Sequence, residues 1–378
     1  MKKIVVISDS FKGTISSSRV AQLAKACILK HFPQCEVVGL PVADGGEGTV
    51  DCFLEAVGGE AVACRVQGPW GEPVTANYAK IGEIAVVEMA AAAGLPMAAP
   101  NLNPEKTTTY GVGQLISHAV KNGAKKIILG LGGSATNDGG CGCAAALGVR
   151  FFDAGGTEFC PTGGTLKNIA KIDASVAENL LQNVEVEVMC DIDNPLCGSR
   201  GAAYVFAPQK GADKAMVERL DAGLSHLAKL TDSKAAELPG AGAAGGFGFG
   251  AVAFMGAKLR AGIEVVLDLV EFEKKLEGCD LVITGEGRID GQSLGGKVPV
   301  GVSRRAKKLG VPVVAVVGVV GDDADAVYDE GITAVFNTNR AGLPFADILH
   351  RGEEDYSRTM ESLMRYTKGI LCKLHNMK

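Results

Sequence analysis

The sequence predicts an α/β fold with mostly parallel sheets, divided over two domains. Short runs of β-branched residues alternate with segments of helical periodicity, as expected for parallel strands joined by helices. The chain has 378 residues, and a domain usually takes roughly 150. Apolar residues make up 47% and charged residues 21%, an ordinary globular balance that argues against disorder.

Each predicted element follows from its own stretch of sequence. Residues 4–7 form a continuous apolar run and predict a buried strand, and apolar residues at helical spacing predict a helix over 18–32. Glycine and proline interrupt short apolar runs over 61–87, which predicts antiparallel pairing. Residues 238–250 are rich in glycine and alanine and predict a loop. Further strands are predicted at 35–42, 126–131, 184–190, 280–284 and 311–320. Further helices are predicted at 49–57, 110–121, 139–148, 213–230, 251–259, 299–308 and over most of 339–378.

Composition excludes several classes of protein. A net charge of −5 and few aromatic residues argue against binding to nucleic acid or to an anionic membrane surface. Eleven cysteines contain no C-x-x-C pair, so they predict neither a zinc ribbon nor a redox motif and fit a reducing compartment. The apolar start is too short for a signal peptide, and no apolar run approaches the ~18 residues of a membrane span. We therefore expect a cytoplasmic protein with no membrane partner, and either a monomer or a homo-oligomer.

Five predicted strands are followed by a carboxylate that is flanked by glycines, hydroxyls or amides. In open α/β sheets, ligands bind outside the carboxyl ends of the strands. Turn chemistry explains an aspartate and a glycine at any one strand end, but five such ends favour a metal–phosphate site. The carboxylates that come first after these strands are Asp9, Asp44, Asp138, Asp191 and Glu286.

Two glycine-rich segments come close to known phosphate-binding motifs. Residues 130–135 fit the G-x-G-x-x-A dinucleotide pattern, and Asp153 lies about twenty residues on, where a ribose-binding acid belongs. This pattern keeps open an NAD-dependent dehydrogenase of a small hydroxy acid as the alternative function. Residues 291–297 read G-x-x-x-x-G-K, but Val298 stands where a P-loop requires serine or threonine, so the segment is not a Walker A motif.

These motifs, in this order, resemble the type-I bacterial glycerate kinase family. The match spans essentially the whole chain, with Ala207 in place of an expected glycine and Ser293 in place of an expected threonine. Ser293 keeps the hydroxyl, so both departures are mild. The matching segments are 9–13, 41–49, 130–140, 190–198, 208–212, 242–246 and 285–292 with Gly296 and Lys297.

The resemblance implies ATP-dependent phosphorylation of D-glycerate with Mg²⁺ as the cofactor. The product would be mostly 2-phosphoglycerate, with 3-phosphoglycerate as the other candidate. It also implies two α/β domains, one of them flavodoxin-like and inserted in the other, with the active site in the cleft between them. Composition shifts predict an outer domain over 1–62 and 280–378 and an inserted domain over 63–279.

Phosphoryl transfer needs positioned phosphates, magnesium and cations on the developing charge. We assign the nucleotide phosphates to the loop over 132–140, through its amides and the helix N-terminus that follows. Lys210 or Lys297 is predicted to neutralise the transferred charge. The residues of the loop that are predicted to bind the nucleotide are Gly132, Gly133, Ser134, Thr136, Asn137 and Asp138.

The remaining candidates are carboxylates and substrate-binding side chains. Asp191, Glu286 and Asp290 are predicted to accept the proton of the glycerate hydroxyl or to bind the metal, with Glu286 and Asp290 as the metal ligands. Arg288 offers the glycerate carboxylate a forked pair, and Lys12 and Asp44 complete the substrate site. The sequence does not separate the base from the metal ligand.

Overall fold

The computed structural model describes residues 1–43, 45–231, 233–339 and 342–375. The chain divides into two compact units. The outer unit comprises Met1–Ala43 and Ile263–Lys378, and the inserted unit comprises Asp44–Gly262. An α/β protein with one unit inserted in the other is therefore confirmed. The side chain of Asp44, a predicted glycerate ligand, lies outside the described residues.

The outer unit begins with β1 (Lys3–Ser8), α1 (Ser17–His31) and β2 (Glu36–Pro41). The inserted unit then contains α2 (Thr49–Val57), β3 (Glu60–Gln67), β4 (Pro73–Ile81), β5 (Ile84–Glu88), α3 (Ala90–Ala93), α4 (Leu95–Ala98), α5 (Tyr110–Lys121), β6 (Lys126–Gly130), α6 (Cys141–Ala146), β7 (Arg150–Phe152), β8 (Glu158–Phe159), β9 (Lys171–Asp173), α7 (Ser175–Leu181), β10 (Glu185–Met189), α8 (Ala202–Phe206), α9 (Lys214–Leu230), α10 (Ala243–Met255) and β11 (Lys258–Arg260).

The chain returns to the outer unit with α11 (Gly262–Leu269), α12 (Phe272–Lys275), β12 (Leu281–Thr284), β13 (Arg288–Ile289), α13 (Val298–Lys308), β14 (Val313–Val317), β15 (Val319–Val320), β16 (Ile332–Asn337), α14 (Phe345–Ile348) and α15 (Gly352–His375). Short 3₁₀ helices lie at Leu166–Asn168, Pro208–Lys210, Ala235–Glu237, Gly291–Gly295 and Ala324–Val327.

The sheet of the outer unit is parallel throughout, in the order β2-β1-β12-β14-β16. Side chains alternate along β14, so that Val314 and Val316 pack with α1 and α15 on one face. Ala315 and Val317 pack with α13 on the other. Apolar residues fill both faces, which explains why these strands are recognisable as continuous apolar runs.

The strand order of the outer unit, counted within that unit, is 2-1-3-4-5. This is the order of flavodoxin-like sheets, whose ligands bind where the order reverses, between strands 1 and 3. In this chain those strands are β1 and β12, and the backbone amide of Asp9 donates to the carbonyl of Gly285 at 2.9 Å just beyond their carboxyl ends. The fold thus brings the segments after these two strands together at the preferred ligand position.

The inserted unit has a mixed sheet in the order β11-β10-β6-β5-β4-β3. Strands β5, β6, β10 and β11 are parallel, whereas β3 and β4 are antiparallel, which confirms the antiparallel pairing predicted over 61–87. The resemblance implies a flavodoxin-like sheet in this unit, but that strand order occurs in the outer unit. A small antiparallel sheet of β7, β8 and β9 is absent from the sequence prediction.

The boundaries between the two units differ from those that composition predicts. They lie after Ala43 and after Gly262, whereas composition places them near residues 62 and 280. Helix α2 lies in the inserted unit because it packs against β4 and β5. The Glu88 carboxylate at the end of β5 also accepts a hydrogen bond from the backbone amide of Val50. Helices α11 and α12 lie in the outer unit, where Arg305 of α13 forms ion pairs with residues of both helices.

Two predicted elements differ from those observed. The segment 238–250 is predicted as a loop, but continuous helical backbone of α10 begins at Phe247, directly after the left-handed residues Ala244, Gly245 and Gly246. The predicted strand over 311–320 is divided into β14 and β15, and β15 pairs with β13 instead of continuing in the main sheet. Among the described residues, no helix is long and apolar enough to cross a membrane.

Candidate active site

Glu286 lies at the ligand position of the outer sheet, two residues after β12. It is buried, and its Oε1 accepts a hydrogen bond of 2.7 Å from the Ser293 hydroxyl. Its Oε2 lies 3.9 Å from the Lys297 ammonium. Burial raises the pKa of the Glu286 carboxyl to about 7, against the hydrogen bond from Ser293 and the charge of Lys297, which both lower it. A carboxyl group with these contacts can accept a proton near neutral pH.

Asp290 begins the 3₁₀ helix Gly291–Gly295 and serves as its N-cap. Its Oδ1 accepts from the backbone amide of Gln292 at 3.1 Å, and its Oδ2 accepts from Arg288 Nε at 2.9 Å. The charge of Asp290 contributes to the raised pKa of Glu286, so the two carboxylates are electrostatically coupled. Arg288 is 63% exposed at its side chain, which leaves its fork accessible to a small anion.

Lys297 is the N-cap residue of α13, and Pro299 lies in the first turn of that helix. The segment between Gly291 and Lys297 forms a 3₁₀ helix with a left-handed glycine at its end, Gly296. It is therefore not the open loop of a Walker A motif. Lys12 lines a pocket of the outer unit together with Phe11, Gly287 and Thr338.

In the inserted unit, the loop over 132–140 follows β6 and is closely packed. The amides of Gly132, Ala135 and Gly139 donate to backbone carbonyls of Gly45, Ala93 and Gly245. These three loop amides are therefore engaged within the protein. Fewer amides of this loop than predicted are therefore available to bind phosphate.

Asp138 is fully buried and accepts hydrogen bonds on both oxygens. Oδ2 accepts from the amide and hydroxyl of Thr109 at 2.8 and 2.9 Å and from the Gly142 amide at 3.3 Å, while Oδ1 accepts from the Gly140 amide at 3.1 Å. Burial raises the pKa of Asp138, and these hydrogen bonds oppose the rise. The carboxylate and Thr109 thus satisfy the start of α6, so the helix N-terminus that the sequence assigns to phosphate is already occupied.

Lys210 is the strongest candidate in the inserted unit for binding an anion. Its side chain is buried, and Nζ donates to the Ser134 hydroxyl at 2.9 Å and to the Thr136 carbonyl at 2.6 Å. Burial lowers the pKa of the Lys210 amine to about 7, while the charge of Asp138 raises it. Within the described ranges, no carboxylate lies within ion-pair distance of Nζ.

Thr136 and Asn137 lie beside this lysine and carry unsatisfied polar atoms. Both residues are fully buried. The Thr136 hydroxyl and both ends of the Asn137 amide have no hydrogen-bond partner in the part of the chain that the structure describes. Because such groups are costly when buried, the cluster of Ser134, Thr136, Asn137 and Lys210 is suited to a polar ligand.

The predicted site residues therefore fall into two clusters, one in each unit. Glu286, Asp290 and Lys297 come together in the outer unit, and Lys210 joins the loop residues Ser134, Thr136 and Asn137 in the inserted unit. Asp191 follows β10, where its Oδ1 accepts from the Gly262 amide at 2.7 Å.

Ser293 is a site residue that the sequence analysis did not select. It occurs three residues after Asp290, and the pair forms a capping box, since each side chain accepts from the other's backbone amide. The D-x-x-S pattern is the signal that could have identified it. The contact with Glu286 could not be read from spacing alone.

The structure does not favour the dinucleotide alternative. A Cβ on Gly130 or Gly132 would lie 2.5 Å from the backbone of Gly45 or Gly46, so these glycines allow two loops to pack together. Helix α6 begins only at Cys141, so no helix starts directly after the glycine motif. Asp153 closes the turn between β7 and β8 by accepting from the amides of Gly155 and Thr157.

An α/β fold without a P-loop, with carboxylates and lysines after its strands, is consistent with a phosphotransferase. Comparisons with known proteins agree. The model of the glycerate kinase family matches residues 4–368. A glycerate kinase from Bacillus cereus is 45% identical over 368 residues, covering 96% of this chain and 97% of the relative. A glycerate 2-kinase from Escherichia coli is 46% identical over 344 residues, covering 89% and 90%.

A crystal structure from Salmonella typhimurium LT2, whose provisional name is glycerate kinase 2, superimposes with a TM-score of 0.85. It is 42% identical and the match covers 97% of this chain and 98% of that one. The chain belongs to the glycerate kinase family and is a phosphotransferase enzyme.

Proposed function

We propose that the protein transfers the γ-phosphoryl group of ATP to D-glycerate and forms mainly 2-phosphoglycerate. Membership of a kinase family supports ATP as the donor. The name of the Escherichia coli relative supports the 2-phosphate as the product. The observation that carries the proposal is the pair of clusters, which supplies a buried cation for phosphate and a carboxylate for an acceptor hydroxyl.

The inserted unit would bind the phosphates of ATP. The ammonium of Lys210, held by Ser134 and Thr136 in a buried position, interacts strongly with an anion because little water screens it. The unsatisfied amide of Asn137 offers a further donor. Asp138 and Thr109 would act only by fixing the loop. Gly132 and Gly133 would contribute by the backbone conformation that they allow the loop to adopt.

The outer unit would bind and activate glycerate. Glu286 would accept the proton of the glycerate hydroxyl, and Lys297 would stabilise the charge that develops beside it. Arg288 and Lys12, both at the strand ends of this unit, would pair with the glycerate carboxylate. Asp191, at the end of a strand of the inserted unit, has its Oδ1 bound to the Gly262 amide and is the weaker candidate for the base.

Mg²⁺ would bind at the outer-unit cluster of Glu286, Asp290 and Lys297 as part of the Mg-ATP complex. Asp290 supplies the hard oxygen donors that Mg²⁺ prefers, and a cation bound there would relieve the repulsion between Asp290 and Glu286. Within the described residues, no group of three or more His, Cys, Asp or Glu side chains could hold a metal unaided, whereas Mg²⁺ is usually held by one or two carboxylates together with substrate phosphates. Bound there, it would neutralise charge on the phosphates.

Phosphorus NMR of the protein with Mg-ATP and D-glycerate tests the proposal. We expect a new phosphomonoester resonance that requires D-glycerate. Coupling of this resonance to one carbon-bound proton identifies the 2-phosphate, and coupling to two identifies the 3-phosphate. Samples without glycerate and with L-glycerate are the controls. Unchanged ATP in the D-glycerate sample would refute the proposed reaction.

A further inference from the structure

Ser293 forms the centre of a hydrogen-bond chain in the outer unit. The backbone amide of Asp290 donates to Ser293 Oγ at 3.2 Å, and the Ser293 hydroxyl donates to Glu286 Oε1 at 2.7 Å. Ser293 is completely buried, so water does not compete for either bond. A serine hydroxyl has a single hydrogen to donate, and Ser293 gives it to Glu286.

These two hydrogen bonds determine which oxygen of Glu286 remains for other contacts. Oε1 is held by Ser293, and Oε2 lies on the side of the Lys297 ammonium. Ser293 lies in the 3₁₀ helix Gly291–Gly295, and Lys297 lies two residues beyond it. The conformation of that helix therefore sets the positions of both residues beside the Glu286 carboxylate.

Helix capping alone does not explain a serine at this position. A capping box requires only that the third residue accept from the amide of the N-cap residue, and glutamate or glutamine usually does so. Glutamate at this buried position would add a second negative charge beside Glu286. The serine accepts as the box requires and also donates to Glu286.

We propose that Ser293 is a positioning residue for phosphoryl transfer, whose hydroxyl holds Glu286 so that Oε2 faces the reacting hydroxyl of glycerate. This inference rests on the proposed function of Glu286 and extends it to a residue that does not touch the substrate. Ser293 acts through orientation of the carboxylate, so its loss affects turnover more than substrate binding.

Steady-state kinetics of Ser293→Ala and Ser293→Thr test the proposal. We expect S293A to lower kcat by about 10- to 100-fold, because a hydrogen bond to a charged group is lost, and to change each KM by less than about threefold. S293T keeps the hydroxyl and recovers most of kcat. Ser303, a buried serine of α13 that donates to the Val300 carbonyl, provides the matched control, and S303A keeps the wild-type kcat. If S293A does not fold, S293C, a weaker donor of similar size, takes its place with the same expected direction.

A double-mutant cycle with Glu286→Ala separates positioning from a structural effect. We expect S293A to have little further effect on the residual kcat of E286A. An equal loss in the presence and absence of Glu286 overturns the inference, as does a wild-type kcat for S293A. Wild-type turnover by E286A itself refutes the role proposed for Glu286, which is a separate and distinguishable failure.

Discussion

The buried Lys210 predicts a stability that depends on pH in a defined direction. Replacing it with methionine, K210M, keeps the length and packing of the side chain but removes the amine. Lys210 in the folded protein has a pKa of about 7, lowered from 10.5 by burial. Between these two values the unfolded chain binds a proton that the folded protein does not, so the stability contributed by this residue rises with pH.

The size of the effect follows from the same two values. Each pH unit between them changes the free energy of unfolding by about 1.4 kcal/mol, so the full range amounts to roughly 5 kcal/mol. Below pH 7 the amine is charged in both states, and its burial penalty is fully present. The stability of the wild type relative to K210M should therefore be lowest below pH 7, and should rise by about 2–3 kcal/mol between pH 7.5 and 9.5.

Urea denaturation followed by tryptophan fluorescence measures this difference. The chain has one tryptophan, Trp70, which lies in the inserted unit together with Lys210, so its emission reports on the relevant unit. Lys229 of α9 is exposed and provides the control K229M, which should change the free energy of unfolding by less than about 0.5 kcal/mol. A constant difference between the wild type and K210M from pH 6 to 9.5 would refute the assignment of a buried, weakly basic amine.

Three further substitutions test interactions that stabilise the two units. D138N should lower the free energy of unfolding by about 1–3 kcal/mol, because the Asp138 carboxylate accepts the hydrogen bonds that fix the loop over 132–140. The KM for ATP should change little. A raised KM at unchanged stability would instead place Asp138 at the nucleotide. G245A should destabilise the protein much more than G256A, since a Cβ on Gly245 would lie 2.1 Å from a carbonyl oxygen while the equally left-handed Gly256 faces open space; equal melting temperatures would contradict this. R305M should cost about 1–3 kcal/mol because it removes a largely buried guanidinium that pairs with three carboxylates. R358M, at an exposed pair, should cost less than about 0.5 kcal/mol. Urea denaturation of both variants measures the two losses, and an equal or reversed order would contradict this prediction.

The parallel strands were predictable because a strand that is buried on both faces consists of a continuous run of apolar residues. Residues 126–131 are predicted as a strand and β6 spans Lys126–Gly130. The helix predicted over 251–259 overlaps α10, but the first part of α10, residues 247–250, was predicted as a loop because its glycines have unfavourable helix propensity. They are tolerated because a Cβ on Gly248 or Gly250 would lie 2.1 or 2.2 Å from a backbone oxygen of a neighbouring segment, so only glycine lets the helix pack that closely.

The site was predictable in its location more than in its contacts. The rule that ligands bind beyond strand ends selects Glu286, and the glycine-flanked turn selects Lys210, without any knowledge of their neighbours. Sequence did not reveal that Thr109 already satisfies Asp138, or that Ser293 donates to Glu286. Both contacts depend on the packed structure, and the first joins residues far apart in the chain.

The central claim is that glycerate-dependent phosphoryl transfer uses Glu286 of the outer unit and Lys210 of the inserted unit. The most direct test is the rate of ADP formation from Mg-ATP, with and without D-glycerate, by the wild type, E286Q and K210M. We predict that ADP forms only with D-glycerate and that each folded variant is slower by about 100-fold or more. ADP formation that does not depend on glycerate, or wild-type rates for both variants, would contradict the account.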